Sequence, residues 1–141
     1  MTAAPMASIA EPVQQMLAAD RSSALLGIHV LSAQAGKAVA AMTVPREGTN
    51  GHGIAHGGLV FALADTAFAC AANSQAPGSA TAAASIVYVG PAQVGDELTA
   101  EAQVRHAGER QSLVDVTVRC GERVVAEFRG RSARLRSPES S

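Results

Sequence analysis

NGHGIAHGGLVFALADTAFACAANSQ, residues 50–75, is the stretch whose reading decides the fold of this chain. It opens with the end of a glycine-rich loop, REGTNGHGIAH (residues 46–56), and continues as a long helical candidate over residues 57–74. Leu59, Val60, Phe61, Leu63, Phe68 and many alanines make that helix apolar on nearly all sides. A helix without a polar face belongs inside the molecule, not on its surface. Upstream, residues 27–35 and 37–44 are strand-like runs joined at Ala35-Gly36, which predicts a hairpin. Before them, residues 11–19 form a short amphipathic helix with Pro12 at its start. Downstream of the Pro77-Gly78 turn the period changes from helical to alternating. Residues 79–89, 97–106, 112–120 and 123–135 are predicted strands, separated by Gly90-Pro91, Gly95-Asp96, Gly108-Glu109 and Gly121-Glu122. Leu113, Asp115, Thr117 and Arg119, and then Val125, Glu127, Arg129 and Arg131, mark one wet face. A hairpin, one buried helix and four further strands predict an α+β domain, an antiparallel sheet around one long central helix.

At 141 residues, the chain suits one domain. We expect a flexible leader over residues 1–10, a folded domain over 11–136 and a disordered tail over 137–141. Apolar residues make up 48%, but Phe61, Phe68, Phe128 and Tyr88 are the only aromatics. The core is therefore built of Val, Leu, Ile and Ala, a composition that favours close packing and association between chains. With 11 basic and 12 acidic residues the net charge is −1, which argues against a general nucleic-acid or membrane binder. The apolar run of residues 57–72 is interrupted by Asp65 and is too short to span a bilayer. No basic residue precedes Arg21, and Cys70 and Cys120 form no CxxC. Together these predict no export signal, free thiols and a cytoplasmic location.

Asp65 is the chemical anomaly. Its neighbours at three and four residues are Phe61, Ala62, Phe68 and Ala69. An unpaired carboxylate there would be very costly, so it must be partnered, protonated or facing a cavity. A structural Asp bonded to a nearby backbone or hydroxyl group such as Thr66 satisfies that requirement as well as a catalytic one does. His56-Gly57-Gly58 sets two glycines at the helix start, where unpaired amides and the positive end of the dipole can hold a phosphate or polarise a carbonyl. A plain turn into a helix has the same residues. GxGxxG fails because His56 stands at its last position, and no GK[ST] is present. His52 and His56 lack a third nearby ligand beyond Asn50 or Glu47, so no metal is expected. No G-x-S-x-G occurs, and Cys70 lies among alanines as core packing.

The run from His56 to Gln75, preceded by Asn50-Gly51-His52, resembles the phenylacetyl-CoA thioesterases of the phenylacetate-degradation pathway, which are hotdog-fold acyl-CoA thioesterases. The spacing is specific: Asn50, six residues to His56-Gly57-Gly58, nine more to Asp65. The similarity continues through Tyr88, Pro91, residues 102–106 and Phe128-Arg129-Gly130, and covers roughly residues 24–136. The resemblance implies a sheet wrapped around the helix and chains paired into homodimers that assemble into homotetramers, with no cofactor or metal. It gives Asp65 the role of general base or nucleophile and the Gly57 N–H that of donor to the thioester carbonyl. His56 and Asn50 shape the loop and orient substrate or water, while Thr66, Gly58 and Phe61 lie against the substrate. One departure stands out. Relatives often carry a Ser on the strand after the helix, whereas alignment on Tyr88 puts Ala82 there, with Thr81 and Ser85 as the hydroxyls that could stand in.

Thioester hydrolysis suits so short a set of polar groups, because a thiolate leaves readily. The implied substrate is an acyl-CoA, with phenylacetyl or hydroxyphenylacetyl as the expected acyl group. Arg105, Arg119, Arg129, Arg131, Arg134 and Arg136 are candidate contacts for its phosphates, although alternating arginines also mark a solvated strand face. Two other readings share the pattern: a hydratase acting on acyl thioesters through His56 and an acid, and a non-catalytic acyl-CoA-binding regulator.

Overall fold

The computed structural model describes residues 8–135. Its elements run α1 (Glu11–Ala19), α2 (Ser22–Leu26), β1 (His29–Gln34), β2 (Lys37–Thr43), α3 (Gly57–Gln75), β3 (Ser79–Tyr88), β4 (Glu97–Ala107), β5 (Gln111–Cys120) and β6 (Arg123–Arg134). The six strands form one sheet in the order β1-β2-β4-β5-β6-β3, antiparallel at every pairing. α3 packs against all six strands, the hotdog arrangement expected. The hairpin at Ala35-Gly36 is present, with φ of 53° and 78°, the left-handed pair that matches strand twist.

Alternation builds the core. Ala38, Ala40 and Met42 of β2, Leu98, Ala100 and Ala102 of β4, Val114, Val116 and Val118 of β5, and Phe128 of β6 face inward and are buried. They meet Leu63, Ala64, Ala67, Phe68 and Ala71 of α3. Small residues let the sheet approach the helix closely, and Phe68 is the largest side chain fully buried between them. Gly130 makes that possible: a Cβ there would lie 2.5 Å from Cε2 of Phe68. Phe68 cannot swing aside, because its ring packs edge-on against Phe128 at 5.7 Å. Gly130→Ala should therefore cost about 1–3 kcal/mol by overpacking, read as a lower midpoint in a thermal melt. An unchanged melt would contradict this packing.

Four features differ from the sequence reading. α2 was not expected; one turn is too short to show a period, and Asp20 nucleates it by accepting the Ser22 and Ser23 N–H groups at 2.9 and 3.3 Å. The leader expected over residues 1–10 lies outside the described residues only as far as residue 7. Ile9 is buried and bridges Ala33, and the Ala10 N–H donates to the Ala33 carbonyl at 2.8 Å. The apolar side chain of Ile9 is what ties this end down. Val125 belongs by alternation to the wet series, yet it is 1% exposed. The register between β5 and β6 shifts beside it, an irregularity that breaks the alternation. The expected tail, residues 137–141, lies outside the described residues.

The fourth difference concerns α3. It is not covered on all sides: Gly58 is exposed, and Phe61, Ala62, Asp65 and Ala69 are only half-buried. These residues recur at three- and four-residue intervals, so they form one stripe along the helix.

Candidate active site

Asp65 lies on this stripe, among apolar neighbours. Its partner comes from β3: the Thr81 hydroxyl donates to Asp65 Oδ1 at 2.6 Å. The backbone explains why Thr81 and not Ala82 does this. Along β3, Tyr88, Ile86 and Ala84 oppose Ala126, Phe128 and Gly130 of β6, all inward-facing. Strict alternation would next turn Ala82 inward. A register shift between Thr81 and Ala83 leaves Ala82 as the extra residue, and Thr81 then opposes Ser132, which is 1% exposed. Ser85 opposes Arg129 on the outer face. The strand is set at its start by Asn73 of α3, whose buried amide accepts the Gly78 and Ser79 N–H groups, both at 3.0 Å, and donates to the Ser79 carbonyl at 2.9 Å. Asn73 was not singled out from sequence. Thr66, by contrast, donates its hydroxyl to the Ala62 carbonyl at 2.8 Å and makes no bond to Asp65.

The glycine-rich loop prepares the start of α3. Asn50 Oδ1 accepts the His52 N–H at 2.8 Å, the Asn50 N–H donates to Ile54 at 2.8 Å, and Thr49 bridges Ala55. Asn50 thus holds the loop with its oxygen and keeps its amide N–H groups for another acceptor. The His56 N–H donates to the Gly48 carbonyl at 2.8 Å, and His56 then caps the helix: its Nδ1 accepts the Gly58 N–H at 2.9 Å. Neutral His56 accordingly carries its proton on Nε2. The Gly57 N–H has no acceptor among the described residues, so it is a free donor at the positive end of a 19-residue helix.

Tyr88, read from sequence only as a landmark, closes over this end. Its hydroxyl donates to the Gly57 carbonyl at 2.7 Å, and a Cβ on Gly57 would lie 3.0 Å from Cζ and Oη of the ring. Partial burial raises the Tyr88 phenol above its ordinary pKa. Phe61 sits half-buried on the Asp65 stripe, edge-on to Phe128 at 5.3 Å.

The remaining candidates separate from this cluster. Arg105 and Arg129 converge on Asp115 across the outer sheet face, at 3.2 and 2.6 Å. The hydrogen bond from Arg129, with the charges of both arginines, holds the Asp115 carboxyl below the usual carboxylate range. Arg119 approaches Glu101 at 3.9 Å. Arg131 and Arg134 are exposed, and Arg136 lies outside the described residues. Among the described residues no three His, Cys, Asp or Glu side chains converge as a metal site. Burial pushes the Cys70 thiol up to about 12, which leaves it protonated and inert. A cavity of about 500 Å³ at the β1 edge, between Leu31, Met42 and Glu97, contains none of the candidate residues. No helix among the described residues is long and apolar enough to cross a membrane.

A six-stranded antiparallel sheet wrapped around one central helix is the hotdog fold of thioesterases. Residues 52–127 match the model of the Thioesterase superfamily. The chain belongs to that superfamily and is a thioester-hydrolysing enzyme. It is 44% identical over 117 residues to the acyl-coenzyme A thioesterase PaaI of Escherichia coli, an alignment covering 82% of this chain and 84% of that protein. Human acyl-coenzyme A thioesterase 13 is 32% identical over 129 residues, covering 86% and 91%. The solved structure of the E. coli PaaI protein, from the phenylacetic acid degradation operon, superposes with a TM-score of 0.86 at 41% identity, covering 90% of this chain and 93% of that one.

Proposed function

We propose that this protein is an acyl-CoA thioesterase of the PaaI type, hydrolysing phenylacetyl-CoA, hydroxyphenylacetyl-CoA or a related short aryl-acyl-CoA to the free acid and CoA. The observation that carries the reading is Asp65: a half-buried carboxylate on an otherwise apolar helix stripe, with one oxygen engaged by Thr81. The Thr81 bond fixes the carboxylate's orientation and leaves its second oxygen to take a proton from an attacking water. The Gly57 N–H polarises the thioester carbonyl and receives the charge that develops on its oxygen. Asn50 supplies a second donor through its amide N–H groups, and the Nε2 proton of His56 orients substrate or water. Gly58, Thr66 and Phe61 line the path of the thioester along the stripe.

The working unit in this reading is a homodimer, assembling further to a homotetramer. Asp65 follows Gly57 by eight residues, ~12 Å along a helix axis. One carbonyl cannot touch both groups on the same helix. A second copy's α3, antiparallel across a two-fold axis, brings its Asp65 beside this Gly57 and generates two equivalent sites. Two features support it. The uncovered stripe of α3 leaves Phe61 and Ala62 beside Asp65 only half-buried. β3 lies at the sheet edge, and its ten residues, Ser79–Tyr88, carry no charge that would discourage pairing. Free thiols at Cys70 and Cys120 accord with a cytoplasmic location.

The test is release of free CoA thiol from a substrate series. Phenylacetyl-CoA should give a higher kcat/KM than hexanoyl-CoA, and palmitoyl-CoA the lowest. A clear preference for palmitoyl-CoA would reject the aryl-acyl assignment. Hydration product without thiol release, or binding without turnover, would reject hydrolysis itself.

A further inference from the structure

We propose that Tyr88 is a positioning residue for hydrolysis, anchoring Gly57 through its carbonyl so that the preceding His56–Gly57 peptide, which carries the Gly57 N–H, stays aimed at the thioester carbonyl; this rests on the reading of Gly57 as the carbonyl donor. The two peptides at the start of α3 offer four polar groups. The His56 carbonyl accepts the Leu59 and Val60 N–H groups at 2.9 and 3.3 Å. The Gly58 N–H donates to His56 Nδ1 at 2.9 Å. The Gly57 carbonyl accepts from Tyr88 Oη at 2.7 Å. Three groups are tied, and the Gly57 N–H alone has no acceptor among the described residues.

Glycine at this position needs such ties. Without a Cβ, Gly57 can rotate about φ and ψ where another residue could not. The Tyr88 ring fills the space a Cβ would take, at 3.0 Å, and its hydroxyl holds the next carbonyl. The space left by the missing Cβ is taken by a side chain from another element, which supplies the rigidity the glycine lacks. An oxyanion donor acts only if it is aimed before the charge develops, so loss of the tie acts on the transition state more than on substrate binding.

Tyr88 is 50% exposed and Gly57 only half-buried, so Tyr88→Phe keeps the ring and strands no fully buried hydroxyl partner. With phenylacetyl-CoA, kcat should fall ~10-fold, part of the loss known for deleting a whole oxyanion donor, while KM changes by less than about twofold. A purely structural tie between β3 and α3 would lower the melting midpoint without this split. The direct readout is infrared spectroscopy of phenylacetyl-CoA labelled with carbon-13 at its carbonyl, bound to Asp65→Asn to prevent turnover. Polarisation by Gly57 lowers the carbonyl stretch relative to free substrate, and adding Tyr88→Phe should shrink that shift. A full shift in the double variant, or wild-type kcat in Tyr88→Phe, overturns the role of Tyr88 alone. No shift in Asp65→Asn itself overturns the Gly57 reading, and the inference with it.

Discussion

Asp65→Asn should lower turnover of phenylacetyl-CoA by at least ~100-fold, the range for losing acid–base catalysis, while the chain folds and melts close to wild type. The substitution is nearly isosteric and removes the one charge on the uncovered stripe of α3. Folding tolerates it because the Asn oxygen can still accept the Thr81 hydroxyl, now made at 2.6 Å to the carboxylate. A substituted residue that is half-buried and keeps its partner leaves neither a cavity nor an orphaned donor. The chemistry does not tolerate it, because a neutral amide cannot take a proton from water. Parallel measurement of thiol release and thermal melting separates these effects. Near-wild-type turnover would remove Asp65 from the mechanism; a dead and unfolded variant would make it structural.

The helix and strands were legible because burial writes a period into sequence. Leu98, Ala100 and Ala102, or Val114, Val116 and Val118, alternate with polar residues and do face the helix. What the period cannot carry is a register shift. Those at Ala82 and beside Val125 depend on how a partner strand is paired, and each changes which side chain points inward. Thr81 was visible as one of two nearby hydroxyls, but only the shift selects it over Ser85. The uncovered side of α3 was hidden for another reason: a helix apolar all round has no polar face to mark where the sheet stops. Asp65 was the exception that marked it. His56 and Asn50 could be read as loop-shaping residues from their types and spacing. Tyr88 could not, since its hydroxyl meets a backbone carbonyl that leaves no trace in the pattern of side chains.

Restored activity in mixed dimers is the expected result of combining two inactive variants. Asp65→Asn lacks the carboxylate, and Asn50→Ala with His56→Ala lacks the loop and helix-start groups around Gly57. If each site draws Asp65 from one chain and Gly57 from the other, a mixed dimer holds one intact site and one doubly damaged site. Random pairing makes about half the dimers mixed, so roughly a quarter of wild-type activity should return. Neither variant alone can supply it. Differently tagged copies, co-expressed, separated into dimers and then purified through both tags, raise the mixed fraction towards one and the expected activity towards about half. The most direct test of the shared site is therefore thiol release from phenylacetyl-CoA by these doubly purified mixed dimers. Recovery to about half of wild-type activity is predicted; activity no higher than either variant alone, in dimers shown to contain both chains, would place the whole site within one chain and contradict the account.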